Sequence, residues 1–174
     1  MSILILVLYI LAGIKFGNWS KFDKYYSTVL YFVIGDLLSQ FLLFNHSLWL
    51  FHPMDKIDRL FHLNHTFIAL AKMAVQYTVT VAIFIGRLPH TLVKQVLWIL
   101  LWTGIYGMNE YITHQYGGLS YHRGWSFGWD LAFNIMMFIM LVIHYKKPLM
   151  AWVLSVPIII ALWLIFDVPM NVLK

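Results

Sequence analysis

Residues 106–134 read YGMNEYITHQYGGLSYHRGWSFGWDLAFN, and they set most of the chain's polar chemistry between two long apolar runs. Glu110 and His114 stand four apart, so they share a face of any helix that extends that far; Asp130 and Asn134 repeat the spacing on the next apolar run. A glycine-rich loop carrying His122 and Arg123 lies between them. A helix ending near Ile112 and another starting near Trp125 bring the chain back at one level, and adjacent antiparallel helices pack together. Glu110, Asp130, His114 and His122 are therefore expected at one cavity mouth. Two carboxylates so placed repel unless Arg123, a protonated His or a bound cation neutralises them.

Outside this stretch the composition sets the class. Of 174 residues, 61% are hydrophobic and 11% charged, against roughly 45–50% and about 25% in soluble domains. The apolar runs recur along the whole chain and are continuous rather than alternating, which points to helices and not to a membrane barrel. The expectation is an all-α polytopic transmembrane bundle of about six spans, one domain over residues 1–174. Helices are expected over about 2–17, 25–45, 65–86, 92–112, 125–145 and 148–166. Pro148 suits a first helical turn, and Pro157 should kink the last helix. The connection 46–64 mixes Trp49, Leu50, Phe51, Leu60 and Phe61 with Asp55, Lys56, Asp58 and Arg59, as an amphipathic segment on the membrane surface would. The pairs Gly13/Gly17 and Gly124/Gly128 have the spacing that lets helices approach closely, though turns explain them equally well.

There are no cysteines, which excludes disulfides, thiolate metal sites and cysteine nucleophiles. The net charge of +5 comes from scattered Lys and Arg that form no basic patch, so nucleic acid is not an expected partner. The amino-terminal apolar run lacks a basic start and is read as a retained first helix. Lys15, Lys21, Lys24, Arg87, Lys94, Lys146 and Lys147 fall on one side of the bundle, and Lys56, Arg59, Arg123 and Lys174 on the other. The positive-inside bias then places both termini outside the cell, in a multi-pass membrane topology.

On that topology His46, His52, His62, His65, His114 and His122 all face outward. Asp36, Lys72, Glu110, Asp130 and Asn134 lie in the outer halves of their helices, with Gln40 and Gln76 four residues beyond Asp36 and Lys72. Intramembrane charges need partners or a water-filled cavity. An Asp36–Lys72 ion pair is expected, either holding two helices together or lining a polar pocket of Asp36, Gln40, Lys72, Gln76, Glu110, Arg123, Asp130 and Asn134. His62, His65, Glu110, His114 and His122 offer the donor types that bind a divalent metal such as zinc, without a specific spacing motif. Trp98, Trp102, Tyr106 and Glu110 form a strip at intervals of four, which serves helix packing or an aromatic wall leading to a carboxylate; Trp125 and Trp129 read most simply as an interfacial anchor. No Gly-x-Ser-x-Gly elbow and no phosphate-binding loop occurs, which disfavours serine hydrolases and nucleotide-driven pumps.

The segments GDLL (35–38), WTGIYGMNE (102–110), YHRGWSFGWDLAFN (121–134) and KKPLMAW (146–152) resemble an uncharacterised family of small multi-span membrane proteins of spore-forming Bacillus- and Clostridium-type bacteria. The resemblance covers essentially the whole chain and implies a bacterial plasma membrane; it supplies no activity or site residues. The leading expectation is a non-enzymatic membrane protein with a polar, His-rich, outward-facing pocket for binding, sensing or transporting a small solute or lipid headgroup. A six-span transporter without an inverted repeat would need to form a homodimer. The alternatives are a metal-dependent membrane enzyme, in which Glu110, His114 and His122 with His62 or His65 hold the ion at the outer interface, and a structural protein whose polar residues only pair helices.

Overall fold

A computed structural model describes residues 2–169. Helices α1 (Ser2–Phe16) and α2 (Tyr26–Leu42) are joined by a tight 3-10 turn. After β1 (Trp49–Phe51) and the short α3 (Lys56–Leu60) come α4 (His65–Phe84) and α5 (Leu92–Gln115). The chain continues through β2 (Leu119–Tyr121) and α6 (Phe127–Lys146) into α7 (Pro148–Ile165). The fold is mostly helical, as the continuous apolar runs require. Helices α4, α6 and α7 are long and apolar enough to cross a membrane, and α1 and α2 are shorter apolar helices. Pro148 opens α7 at its first turn, and the helix continues through Pro157.

Helix α4 is the axis of the bundle. Its run Val79–Ile85 is buried throughout, and Phe138 of α6, fully buried, meets it through Phe84 with Trp102 and Tyr106 of α5 around the same ring. Helix α1 lies against α4 because Gly13 leaves room: a Cβ there would come within 2.8 Å of a Val79 methyl. The other glycines of the two spaced pairs do not act this way. Gly17 closes the end of α1 by donating to the Gly13 carbonyl, Gly124 takes a φ of +82° in a turn, and Gly128 has no neighbour closer than Ser126. Helices α5 and α6 pack as adjacent antiparallel partners, and α7 folds back on α6 after Lys147.

One end of the bundle is latched by side-chain bonds to loops. Asn18 donates to the Gly86 carbonyl at 2.8 Å, Arg87 to the Phe16 carbonyl at 2.6 Å, and Lys146 to Gln95 at 2.9 Å. The basic residues Lys15, Lys21, Lys24, Arg87, Lys94, Lys146 and Lys147 gather at this end. Of the cations assigned to the opposite end, Lys174 lies outside the described residues.

At that opposite end residues 46–64, expected as an amphipathic surface segment, are mostly non-helical: β1 pairs antiparallel with β2, Trp49 opposite Tyr121 and Phe51 opposite Leu119. Asp58 explains why the segment turns: it is fully buried and accepts from the Met54 amide at 3.0 Å, a local tie that competes with helix formation. Only α3 is helical; Leu60 at its end and Phe61 just beyond it are exposed.

Candidate functional site: a cavity under the two-stranded sheet

Helices α2, α4, α5, α6 and α7 enclose a cavity of about 360 Å³, roofed by Trp49, Phe51, Leu119 and Trp125 around the small sheet. Its polar wall is Asp36, Lys72, Tyr77, Tyr106, Glu110, Asp130 and Asn134; its apolar wall includes Leu42, Met137, Val156 and Ile159. The convergence expected of Asp36, Lys72, Glu110, Asp130 and Asn134 is thus present. Glu110 and Asp130 share this cavity rather than facing opposite sides of their helices.

Each helix aims its polar group for a local reason. In α4 the stretch Lys72–Tyr77 winds as a π-helix, a rare geometry that is frequent at functional sites. Its wider turn brings Lys72 and Tyr77, five apart, to the cavity, while Gln76 turns away. Tyr77 donates to Asp36 at 2.7 Å, and Gln40 donates to the other oxygen at 3.2 Å. Asp36 is thereby satisfied without Lys72, and the expected Asp36–Lys72 ion pair is not made. The Lys72 ammonium instead sits 4.1 Å from the centre of the Phe51 ring, a cation–π contact, within electrostatic range of Glu110, Asp36 and Asp130.

Asp130 opens the first turn of α6, where a carboxylate suits the positive end of the helix dipole. Trp125 donates its indole N–H to Oδ1 at 2.6 Å, and the Tyr121 hydroxyl donates to Oδ2. Trp125 is therefore a buried ligand of Asp130 and not an interfacial anchor; Trp129 packs against Phe166. Burial, and then the bond to Asp130, raise the Tyr121 phenol above its ordinary pKa, so it remains a donor throughout the physiological range. Asn134, one turn on, donates to Glu110 Oε2 at 2.8 Å, and no hydrogen bond reaches Oε1.

The remaining members of the expected pocket lie elsewhere. Gln40 acts through Asp36 and does not line the cavity. Gln76, buried, faces a second space of about 110 Å³ beside α1, where it donates to Tyr9 at 3.2 Å and leaves its Oε1 without a partner. Arg123 is exposed in a turn with φ +54°, reaching only the Asn45 carbonyl at 3.4 Å, so it neutralises neither carboxylate. Lys72 takes that electrostatic position.

No histidine lines the cavity, so the site is acidic and aromatic rather than His-rich. His65 is fixed by the Phe51 amide, which donates to its Nδ1 at 3.1 Å, and by stacking on the Phe51 ring. His114 stacks on Tyr121 and bonds the Leu119 carbonyl. His62 is exposed at the end of α3, with φ +51°. His122 bonds Ser120 at 2.9 Å, which in turn contacts His52 at 2.8 Å. Of the five residues proposed as metal ligands, Glu110 lies in the cavity wall, His65, His114 and His122 are held in the roof by separate hydrogen bonds, and His62 is exposed just beyond α3; no group of three or more His, Asp or Glu suited to a metal ion occurs among the described residues. Among the described residues no carboxylate orients either ring of the Ser120–His pairs, unlike a catalytic triad.

The strip Trp98–Trp102–Tyr106–Glu110 divides in two. Trp98 and Trp102 are packing residues against Phe84, whereas Tyr106, bonded to Thr80 at 2.8 Å, and Glu110 reach the cavity. Tyr77, Trp49, Phe51 and the α7 wall carry no local sequence signal of a place at the cavity. Tyr77 falls off the interval-of-four pattern because the π-turn sets five; three-residue strands are too short to show alternation. No family model, curated protein or solved structure matches the chain.

Proposed function

We propose that the chain is a six-span protein of the bacterial plasma membrane whose cavity binds a small amphiphilic solute or lipid headgroup. Three helices meet the length and apolarity of a span, and α1, α2 and α5 complete the bundle in alternating directions. The positive-inside bias orients the latched end toward the cytoplasm and the sheet, with both termini, toward the outside. The resemblance to small membrane proteins of spore-forming bacteria implies the plasma membrane. A carrier role would call for a homodimer.

The observation that carries the reading is the cavity itself. Its volume, about 360 Å³, falls within the roughly 300–1,000 Å³ of ligand sites. Its charged and amide groups come from α2, α4, α5 and α6, whereas α7 brings mostly apolar side chains, which suits a molecule with a head and a tail. A purely structural role for the polar residues would pair them with one another, yet among the described residues Lys72 has no ion pair or hydrogen bond and meets only the Phe51 ring.

Native mass spectrometry of protein extracted gently from its membrane tests the reading. The wild type is expected to retain a lipid or amphiphile, and Met137→Trp, which fills the space between α2 and α6, is expected to lose it. The same adduct on a folded Met137→Trp variant would contradict the proposal.

A further inference from the structure

Which ligand the cavity takes can be argued from its charge, an argument that rests on the binding role proposed above. Three carboxylates, Asp36, Glu110 and Asp130, and one ammonium, Lys72, line the space. The hydrogen bonds to the carboxylates come from Tyr77, Gln40, Tyr121, Trp125 and Asn134, all neutral donors. Lys72 acts on all three at a distance and contacts none. With the carboxylates ionised, three negative charges face one positive charge, and in a low-dielectric setting such an excess attracts a cation strongly. A bare metal ion does not suit these groups, because they are spaced too widely for three to ligate one ion.

The shape of the site adds a second constraint. Away from the charges the space runs between α2 and α7, past Leu38, Leu42, Val156 and Ile159. Aromatic faces flank the charged end: Trp49 and Trp125 lie 5.0 Å apart, with Phe133 against both. Such surfaces favour ammonium groups. On the same wall the Trp163 indole N–H is buried without an acceptor, an orphan donor that an ester or phosphate oxygen of a bound amphiphile would satisfy.

We propose that the cavity holds an amphiphile headed by an ammonium group, with the ammonium at the open oxygen of Glu110 and the hydrocarbon chain between α2 and α7. The ammonium comes either from a simple organic cation or from a zwitterionic lipid head. Lys72 disfavours a doubly charged cation and, by its own repulsion, limits the affinity for a single one.

Photoreactive amphiphiles that share one dodecyl chain and differ only in the head test this in lipid nanodiscs. The heads are trimethylammonium, phosphocholine, sulfate and maltoside, and labelling of peptides from α6 and α7 is normalised to the lipid-facing α1. Saturable labelling by trimethylammonium, phosphocholine or both is expected, and which of them saturates identifies the source. Glu110→Gln should weaken it about tenfold, the equivalent of about 1.4 kcal/mol. Lys72→Met should strengthen it, a gain that misfolding would not produce. Equal saturable labelling by maltoside, or preference for sulfate, would overturn the ammonium assignment and leave the binding cavity standing. No saturable labelling by any head would overturn both.

Discussion

Two regions of α4 face the same neighbours with opposite results. From Val79 to Ile85 every residue is buried against α1, α2, α5 and α6, and Thr80 in that run is bonded to Tyr106. Within the two turns before it, Lys72 and Tyr77 border a cavity. The latched half closes because its helices carry small and aromatic residues in register, with Gly13 against Val79 and Phe138 inside a ring of aromatics. The cavity half stays open because four helices each bring a charge or amide that a close-packed apolar core would leave without compensation. A helical bundle can thus confine its polar cost to one half and use the other half for stability.

Deleting packing in the closed half should have the largest effect. Phe138→Ala removes the ring that Phe84, Trp102 and Tyr106 surround, and is expected to destabilise by about 3–5 kcal/mol in denaturant unfolding of the reconstituted protein. A loss no greater than that of Met137→Ala at the cavity wall would erase the contrast between the halves.

Hydrogen bonds in the open half come next. A double-mutant cycle on Asp36 and Tyr77 should give a coupling of about 1.5–3 kcal/mol, typical of a bond to a charged group. The parallel cycle on Asp36 and Lys72 should give less, because no contact joins them. Reversed magnitudes would mean that the two charges meet in the membrane and that Tyr77 is incidental.

The smallest effect belongs to a neutral pair at the latched end. Thr28, fully buried, bonds His144 at 3.1 Å, and Thr28→Val should cost about 1 kcal/mol, read as a small shift of the unfolding midpoint. Selective loss of ligand binding in that variant, with stability unchanged, would show that the two halves are coupled.

How far these features can be read from the residues follows from the range of the interactions involved. Apolar runs of helical length report their own burial, so the long helices fall within a few residues of their expected limits. The polar convergence is legible too, because Asp36, Lys72, Glu110, Asp130 and Asn134 sit at matched depths from one end. What escapes is set by non-local or irregular geometry. Nothing in WLF at 49–51 announces LSY at 119–121 as its partner, and the π-turn in α4 exchanges Gln76 for Tyr77 at the site. The histidines mislead for a related reason: their sequence marks one face of the bundle, but separate bonds to Phe51, Leu119 and Ser120 hold them in the roof.

The central claim is that the cavity beneath the sheet can be entered, and the absence of native cysteine makes it directly testable with single cysteines. Ser39 and Ser155 line the cavity, Ala82 is fully buried in the closed half, and Ser126 is exposed beside the roof. A small, charged, membrane-impermeant thiol reagent added from outside should modify Ser126→Cys, Ser39→Cys and Ser155→Cys but spare Ala82→Cys. Modification at Ser126→Cys alone, with both cavity positions as inert as Ala82→Cys, would contradict an enterable cavity.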